Sequence, residues 1–117
     1  MDVPLGKRLV SDSLWTAVAP LLPAHRTRWQ GGGLRPVDDR AVFTAIVYVL
    51  TSGSAWHTLP AAFGVSKATA HRRFTAWTAS GLWDRDVPPA VSAQDRDWAV
   101  AIWTAAGERA GEPRHTH

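Results

Sequence analysis

Residues 56–81 read WHTLPAAFGVSKATAHRRFTAWTASG, and this stretch decides the fold of the chain. It predicts a short helix, a tight turn and a second helix. Pro60 suits a first helical turn, because its missing N–H removes no intrahelical hydrogen bond there. Gly64 falls where the chain must reverse in a left-handed conformation, which glycine adopts at little cost. Ser66 can cap the second helix by accepting from a backbone N–H two or three residues further on. Together these features predict a helix-turn-helix.

The second helix of this stretch has two different faces. Ala70, Phe74 and Trp77 recur at i, i+4 and i+7, so they share one apolar face that can dock on a core. The polar and charged side chains lie mostly off that stripe, and we expect them to point outward. Such a face suits the DNA major groove, where Lys and Arg meet phosphates or guanine edges, but an ordinary solvated basic face is the alternative. The residues predicted to contact DNA are Lys67, Thr69, His71, Arg72 and Arg73, with Ser66 capping the helix and bonding a phosphate.

The positive charge of the chain is concentrated in its first two thirds. Residues 1–83 hold nine Lys and Arg against four Asp, net +5, whereas residues 84–117 hold four Arg against six acidic residues, net −2, which sums to +3. The basic part contains the predicted helix-turn-helix. The distribution therefore favours a polyanionic partner.

Composition excludes several other classes of protein. The 117 residues are enough for about one domain with its own core, and the lack of cysteine excludes disulfides and cysteine nucleophiles. No apolar run approaches the ~20 residues of a membrane span, and the first residues lack the apolar region of a secretory signal. The histidines do not pair with carboxylates at helical spacing, so no zinc site is expected. We expect a cytoplasmic protein without cofactor, metal, membrane partner or catalytic residue.

Two further helices are predicted before residue 56. Ser11 stands as an N-cap before a helical stripe of apolar residues, which Pro20 and Pro23 shorten. Asp38 then caps the longest helix, about residues 39–52, and Gly53 follows its end. This helix is apolar on nearly every side, which predicts a central, buried element.

A basic linker is expected between these two helices. Three consecutive glycines within residues 24–36 disfavour a helix or strand, because glycine loses the most conformational entropy on ordering. Arginines on such a loop can follow a phosphate backbone or enter a minor groove, as basic arms do. The alternative is an exposed linker without specific contacts. The predicted auxiliary contacts to the DNA backbone are Arg26, Arg28, Arg35 and Arg40.

The end of the chain gives a weaker pattern. A break at residues 84–89 predicts a helix-turn-helix domain over residues 1–91 and a C-terminal extension over residues 92–117. Ser92 opens a capping-box-like start, and the alanines favour a helix, although residues 98–104 could also form a buried strand. Helix is the preferred interpretation for residues 95–106, and the tail from Gly111 is expected to be disordered. The predicted fold is all-α, a bundle of four or five short helices with an irregular tail.

Several short motifs follow one another along the chain. They are Leu14-Trp15 with Pro20-Leu21-Leu22-Pro23, Gly32-Gly33-Leu34-Arg35-Pro36 before Asp38-Asp39-Arg40, Ser52-Gly53-Ser54-Ala55-Trp56, Leu59-Pro60-Ala61-Ala62-Phe63-Gly64, Arg72-Arg73-Phe74 with Trp77, and Gly81-Leu82-Trp83. In this order, residues 11 to about 91 resemble the N-terminal domain of bacterial insertion-sequence transposases of the family-five type. The resemblance implies a helical domain that binds the terminal inverted repeats of its own element.

The same resemblance implies a second domain, from which this chain departs. In that family an RNase-H-like domain follows, whose Asp-Asp-Glu triad holds two divalent metal ions that activate the attacking oxygen and stabilise the leaving one. Residues 97–102 look like the entry to its first strand, but Trp103 stands where the first catalytic Asp would come, and the later carboxylates are missing. Because many such elements divide the enzyme over two overlapping frames, the resemblance suggests an upstream product or a decayed copy. We expect no strand transfer by this chain alone.

These observations predict a DNA-binding portion of a transposase that acts in DNA transposition. Its partners would be double-stranded DNA at the transposon ends, together with a second copy or a separately encoded catalytic part. One alternative is a stand-alone helix-turn-helix transcriptional regulator, which would dimerise over two half-sites about one helical turn apart. Another is an interaction module whose basic face meets an acidic protein.

Overall fold

A computed structural model describes residues 9–23 and 38–111 of the chain. These residues form four α-helices: α1 (Asp12–Val18), α2 (Asp39–Ser52), α3 (Lys67–Ala79) and α4 (Ala93–Ala110). Four 3-10 turns connect or extend them: Ala19–Leu21, Trp56–Thr58, Ala61–Phe63 and Leu82–Asp84. The described residues contain no strand, and the all-α prediction is confirmed.

Each α-helix begins at a side chain that accepts a hydrogen bond from its first turn. Such a cap satisfies one of the N–H groups that have no partner inside the helix. The sequence predicted all four capping residues. With the donor amide and the distance, they are Ser11 (Leu14, 3.1 Å), Asp38 (Ala41, 3.2 Å), Ser66 (Thr69, 3.0 Å) and Ser92 (Asp95, 3.3 Å).

Helix α2 is the centre of the fold, as its composition predicted. It is buried over residues 42–47 and again at Val49 and Leu50, and it packs against both α3 and α4. The ring of Phe43 lies between two other helices, 5.8 Å from Trp15 of α1 and 6.2 Å from Trp77 of α3. A helix so enclosed holds its neighbours at fixed angles, and here it fixes the placement of α3.

The first part of the predicted helix-turn-helix differs from the expectation. Residues 56–63 were predicted as one short helix, but they form two 3-10 turns separated by Leu59 and Pro60. The physical reason is Pro60, because proline disfavours a helical conformation at the residue before it, and Leu59 is accordingly extended (φ −60°, ψ 122°). The tight turn is confirmed, since Gly64 adopts a left-handed conformation (φ 71°, ψ 14°).

Helix α4, which follows the break at residues 84–89, packs into the same core. Ala99, Ile102, Trp103 and Ala106 are buried at helical spacing in the cluster that includes α2. The strand interpretation of residues 98–104 is therefore wrong, because the buried positions recur every three or four residues, which is the period of a helix. The boundary at residue 91 stays a prediction. Within residues 9–23 and 38–111, no helix combines the length and apolar character that a membrane crossing requires.

Candidate nucleic-acid interface

Helix α3 presents a basic side to solvent and an apolar side to the core. Ala70, Phe74 and Trp77 are 0%, 5% and 1% exposed, as their spacing predicted. On the opposite side, four polar residues are exposed, and we call them the outer face: Lys67, His71, Arg72 and Thr75.

A hydrogen-bonded cluster organises the start of this helix. The Ser66 hydroxyl accepts from the Thr69 backbone N–H and also donates to the Thr69 hydroxyl, both at 3.0 Å. The Arg72 guanidinium donates to the same Thr69 hydroxyl at 3.4 Å. Thr69 is partly exposed, and its hydroxyl joins Ser66 to Arg72. The cluster orders the first turn without covering the charge of Arg72.

An open groove of about 460 Å³ lies beside the same helix start. Its polar lining comes from His57, Ser66 and Lys67, and its apolar lining includes Leu59 and Val65. His57 was treated in the sequence as one of several scattered histidines. Only the packing of the 3-10 turns against α3 brings it beside Lys67, so no local pattern could have found it.

Thr75 is the outer-face residue that the sequence prediction did not include. It is exposed, and its hydroxyl donates to the His71 carbonyl at 3.0 Å. Residues four apart lie one above the other on a helix, so Thr75 continues the row begun by His71. Helical spacing alone was therefore enough to predict it.

Arg73 does not belong to the outer face, and the prediction that it points outward is wrong. It is 5% exposed, donates to Asp39 at the start of α2, and has its guanidinium 5.3 Å from the centre of the Trp77 ring. Each residue advances about 100° around a helix, so Arg73 lies on the side of Ala70 and Trp77. Its charge is used to join α3 to α2.

Arg40, predicted as an auxiliary DNA contact, is likewise engaged within the fold. Its guanidinium forms a 2.7 Å ion pair with Asp12 and donates to the Val10 carbonyl at 2.9 Å. These contacts join the start of α2 to the start of α1. The other predicted auxiliary contacts lie outside the described residues: Arg26, Arg28 and Arg35.

The described residues contain no group of three or more His, Cys, Asp or Glu that could hold a metal ion.

Comparison with known proteins identifies the group to which these features belong. A family model described as "Putative transposase of IS4/5 family (DUF4096)" matches residues 10–86. This chain belongs to that family. A related protein is the "Insertion element IS402 uncharacterized 16.2 kDa protein" of Burkholderia cepacia, which is 42% identical over 83 residues. The resemblance seen in the sequence is confirmed.

The match to the IS402 protein covers 69% of this chain and 56% of the relative. The chain thus spans little more than half the length of that relative. No solved structure matches this IS4/5-family chain. The matched residues 10–86 include all of α3 and the turns before it.

Proposed function

We propose that this chain is the DNA-binding part of an insertion-element transposase, which recognises the terminal inverted repeats of its element in double-stranded DNA. The observation that carries the proposal is the two-sided helix α3. Its apolar side is fixed on α2, while its capped N-terminal half presents cations to solvent. A rigid helix with such a face is the element that helix-turn-helix proteins insert into the major groove.

The outer-face residues would have different roles at the DNA. Lys67 and Arg72 offer charge for phosphates or guanine edges, while His71 can bond to a base edge or to the backbone. Ser66 and Thr69, at the helix start, are proposed to meet a phosphate. Arg73 and Arg40 are not proposed as DNA contacts, because they are paired with Asp39 and Asp12 within the fold.

Residues of the linker would add contacts to the DNA backbone. Arg26, Arg28 and Arg35 remain proposed auxiliary contacts. Membership of a transposase family supports DNA as the partner, and the related IS402 protein is itself described as belonging to an insertion element. Catalysis would then come from a separately encoded part or from a second protein acting with this one.

The proposal is tested by titrating the protein against two duplexes of equal length, one with the terminal repeat and one with the scrambled sequence. Gel-shift titrations over a range of salt give the affinity and its salt slope. We expect tighter binding to the terminal repeat. Arg72→Gln should weaken binding about tenfold, and it should reduce the slope of log K against log salt by about 0.9 if Arg72 meets a phosphate.

The matched control is Arg85→Gln, which removes one exposed charge beyond the end of α3. It should leave affinity within about twofold of the unmodified protein, because its charge is not on the outer face. Equal binding to the two duplexes would contradict recognition of terminal repeats. Absence of any salt-dependent DNA binding would contradict the proposal entirely and favour an acidic protein partner.

A further inference from the structure

Trp56 lies behind the outer face and touches it directly. Its ring meets the His71 imidazole edge-on, with the centroids 5.4 Å apart, and the Phe74 ring at 5.3 Å. Phe74 is buried, so Trp56 joins the core on one side and the outer face on the other. The position of the Trp56 ring therefore limits the orientations open to His71.

Arg109 reaches this tryptophan from the last turn of α4. Its guanidinium lies 5.7 Å from the centre of the Trp56 ring and donates to the Ser54 carbonyl at 2.9 Å. A cation over an indole ring is attracted by its negative face, and a hydrogen bond at the same time fixes the guanidinium in direction. One side chain thus fixes both the ring and the backbone that precedes it.

We propose that Arg109 is a positioning residue for the outer face, acting through Trp56 on His71. The inference rests on the proposed function and extends it to a helix beyond residues 10–86, the part matched by the family model. It assigns to α4 a role in recognition besides its share of the core. The order of contacts is Arg109 to Trp56 and Ser54, and then Trp56 to His71.

The geometry requires arginine rather than any cation. The planar guanidinium can lie over a ring and donate from a separate nitrogen in a fixed direction, whereas an ammonium is a compact point charge. Arg109→Lys keeps the charge and should still lose the arrangement. If Arg109 instead contacted a phosphate directly, Arg109→Lys would bind as well as the unmodified protein.

The test compares Arg109→Ala and Arg109→Lys with Arg96→Ala. Arg96 is the matched control, because it also lies on α4 and donates to a loop carbonyl, that of Val91 at 2.8 Å. Two quantities are measured: the imidazole NMR signals of His71, assigned by their loss in His71→Gln, and the affinity for terminal-repeat and scrambled duplexes. Thermal midpoints are recorded for all variants, so that general destabilisation is recognised.

We expect both Arg109 variants to move the His71 signals, which the nearby Trp56 ring displaces in the unmodified protein. Both should weaken binding to the terminal repeat about threefold to tenfold and leave the salt slope unchanged, a size in keeping with a cation–π contact. Arg96→Ala should do neither.

Two results would overturn the inference. One is an Arg109→Ala variant with unmoved His71 signals, and the other is a salt slope that falls in Arg109→Ala and is restored in Arg109→Lys. If the unmodified protein does not distinguish the duplexes, the proposed function fails. The His71 signals of the free protein then still decide whether Arg109 positions that side chain.

Discussion

Arg72 and Arg73 are neighbours in the sequence, yet they belong to two different regions of the molecule. Arg72 is exposed on the outer face, where it contacts the Thr69 hydroxyl. Arg73 is buried between α3 and α2, where it pairs with Asp39 and lies over Trp77. We call Arg73 and Asp39 the inner pair. One region offers charge to solvent, and the other uses charge to hold the fold together.

Arg72 and Arg73 together teach that the number of Lys and Arg residues in this chain overstates how many cations its surface offers to a partner. Two cations that the sequence assigned to DNA, Arg40 and Arg73, are paired with Asp12 and Asp39 within the fold. Arginine is seldom buried without a partner, and Asp39 is well placed as one, since an acidic residue also suits the first turn of α2. The described outer face therefore depends on few charges, and losing one should matter.

The largest effect is expected from breaking the inner pair on one side. Asp39→Ala leaves the Arg73 guanidinium buried without its carboxylate, and we expect the free energy of unfolding to fall by about 2 to 4 kcal/mol. This loss is smaller than the largest losses seen on breaking buried ion pairs, because Asp39 is half-exposed. Urea denaturation measures it. The salt slope of DNA binding should not change under conditions where the variant is folded, in contrast to Arg72→Gln.

A double variant shows whether this loss of stability comes from the buried Arg73 charge that has no carboxylate partner. Asp39→Ala with Arg73→Met replaces the pair by apolar groups, which is often neutral to stability. It should regain most of the lost stability and still bind DNA. If instead the double variant is folded but binds DNA far more weakly, Arg73 acts with the outer face. The division between an exposed Arg72 that binds DNA and a buried Arg73 that does not would then be wrong.

A smaller effect is expected at the tight turn that precedes α3. Gly64 has φ 71°, and a side chain there would meet no atom within 4 Å. Gly64→Ala should therefore cost only the strain of a left-handed alanine, about 1 kcal/mol. Thermal denaturation measures the loss, and Gly64→Asn, which tolerates this conformation better, should lose less. A loss of several kcal/mol would mean that the turn itself has rearranged.

The smallest effect is expected at Asp95, away from both regions. The hydrogen bond from Ser13 at 2.6 Å is the largest cause that holds the pKa of Asp95 below its ordinary value of 3.8. Burial opposes it, and weaker hydrogen bonds from Ser11 and Ser92 add to it. A carboxyl whose pKa is lowered by folding stabilises the folded protein at pH values above its unfolded-state pKa. This stabilisation is lost as the pH falls through its folded-state pKa. Ser13→Ala should cost well under about 1 kcal/mol at pH 7, because the carboxylate is solvated.

The difference in stability between Ser13→Ala and the unmodified protein should vanish in acid. The stabilities of Ser13→Ala and the unmodified protein should begin to converge as pH falls below about 4, and they should become equal only once the pH lies below the lowered pKa of Asp95 in the folded protein. Arg72→Gln, a change on the outer face, should show no such convergence. A difference for Ser13→Ala that persists undiminished at low pH would mean that Ser13 acts through packing instead.

Local signals in the sequence determined the helices and their starts. Ser11, Asp38, Ser66 and Ser92 each precede a helical pattern, and a cap depends on only a few consecutive residues. The left-handed turn at Gly64 was determined in the same way. The apolar face of α3 followed from a spacing of four and three residues. Such features need no knowledge of what lies across the core.

Only the tertiary structure decided which charges remain on the surface. Helical spacing places Arg73 on the core side of α3, but the partner that it meets there, Asp39, lies 34 residues earlier. Likewise, the neighbours of Trp56 come from α3 and from Arg109 in α4. Contacts between residues far apart leave no local pattern, because each partner alone fits a solvated helix equally well. Packing against α2 brings them together, and this packing separates the outer face from the inner pair.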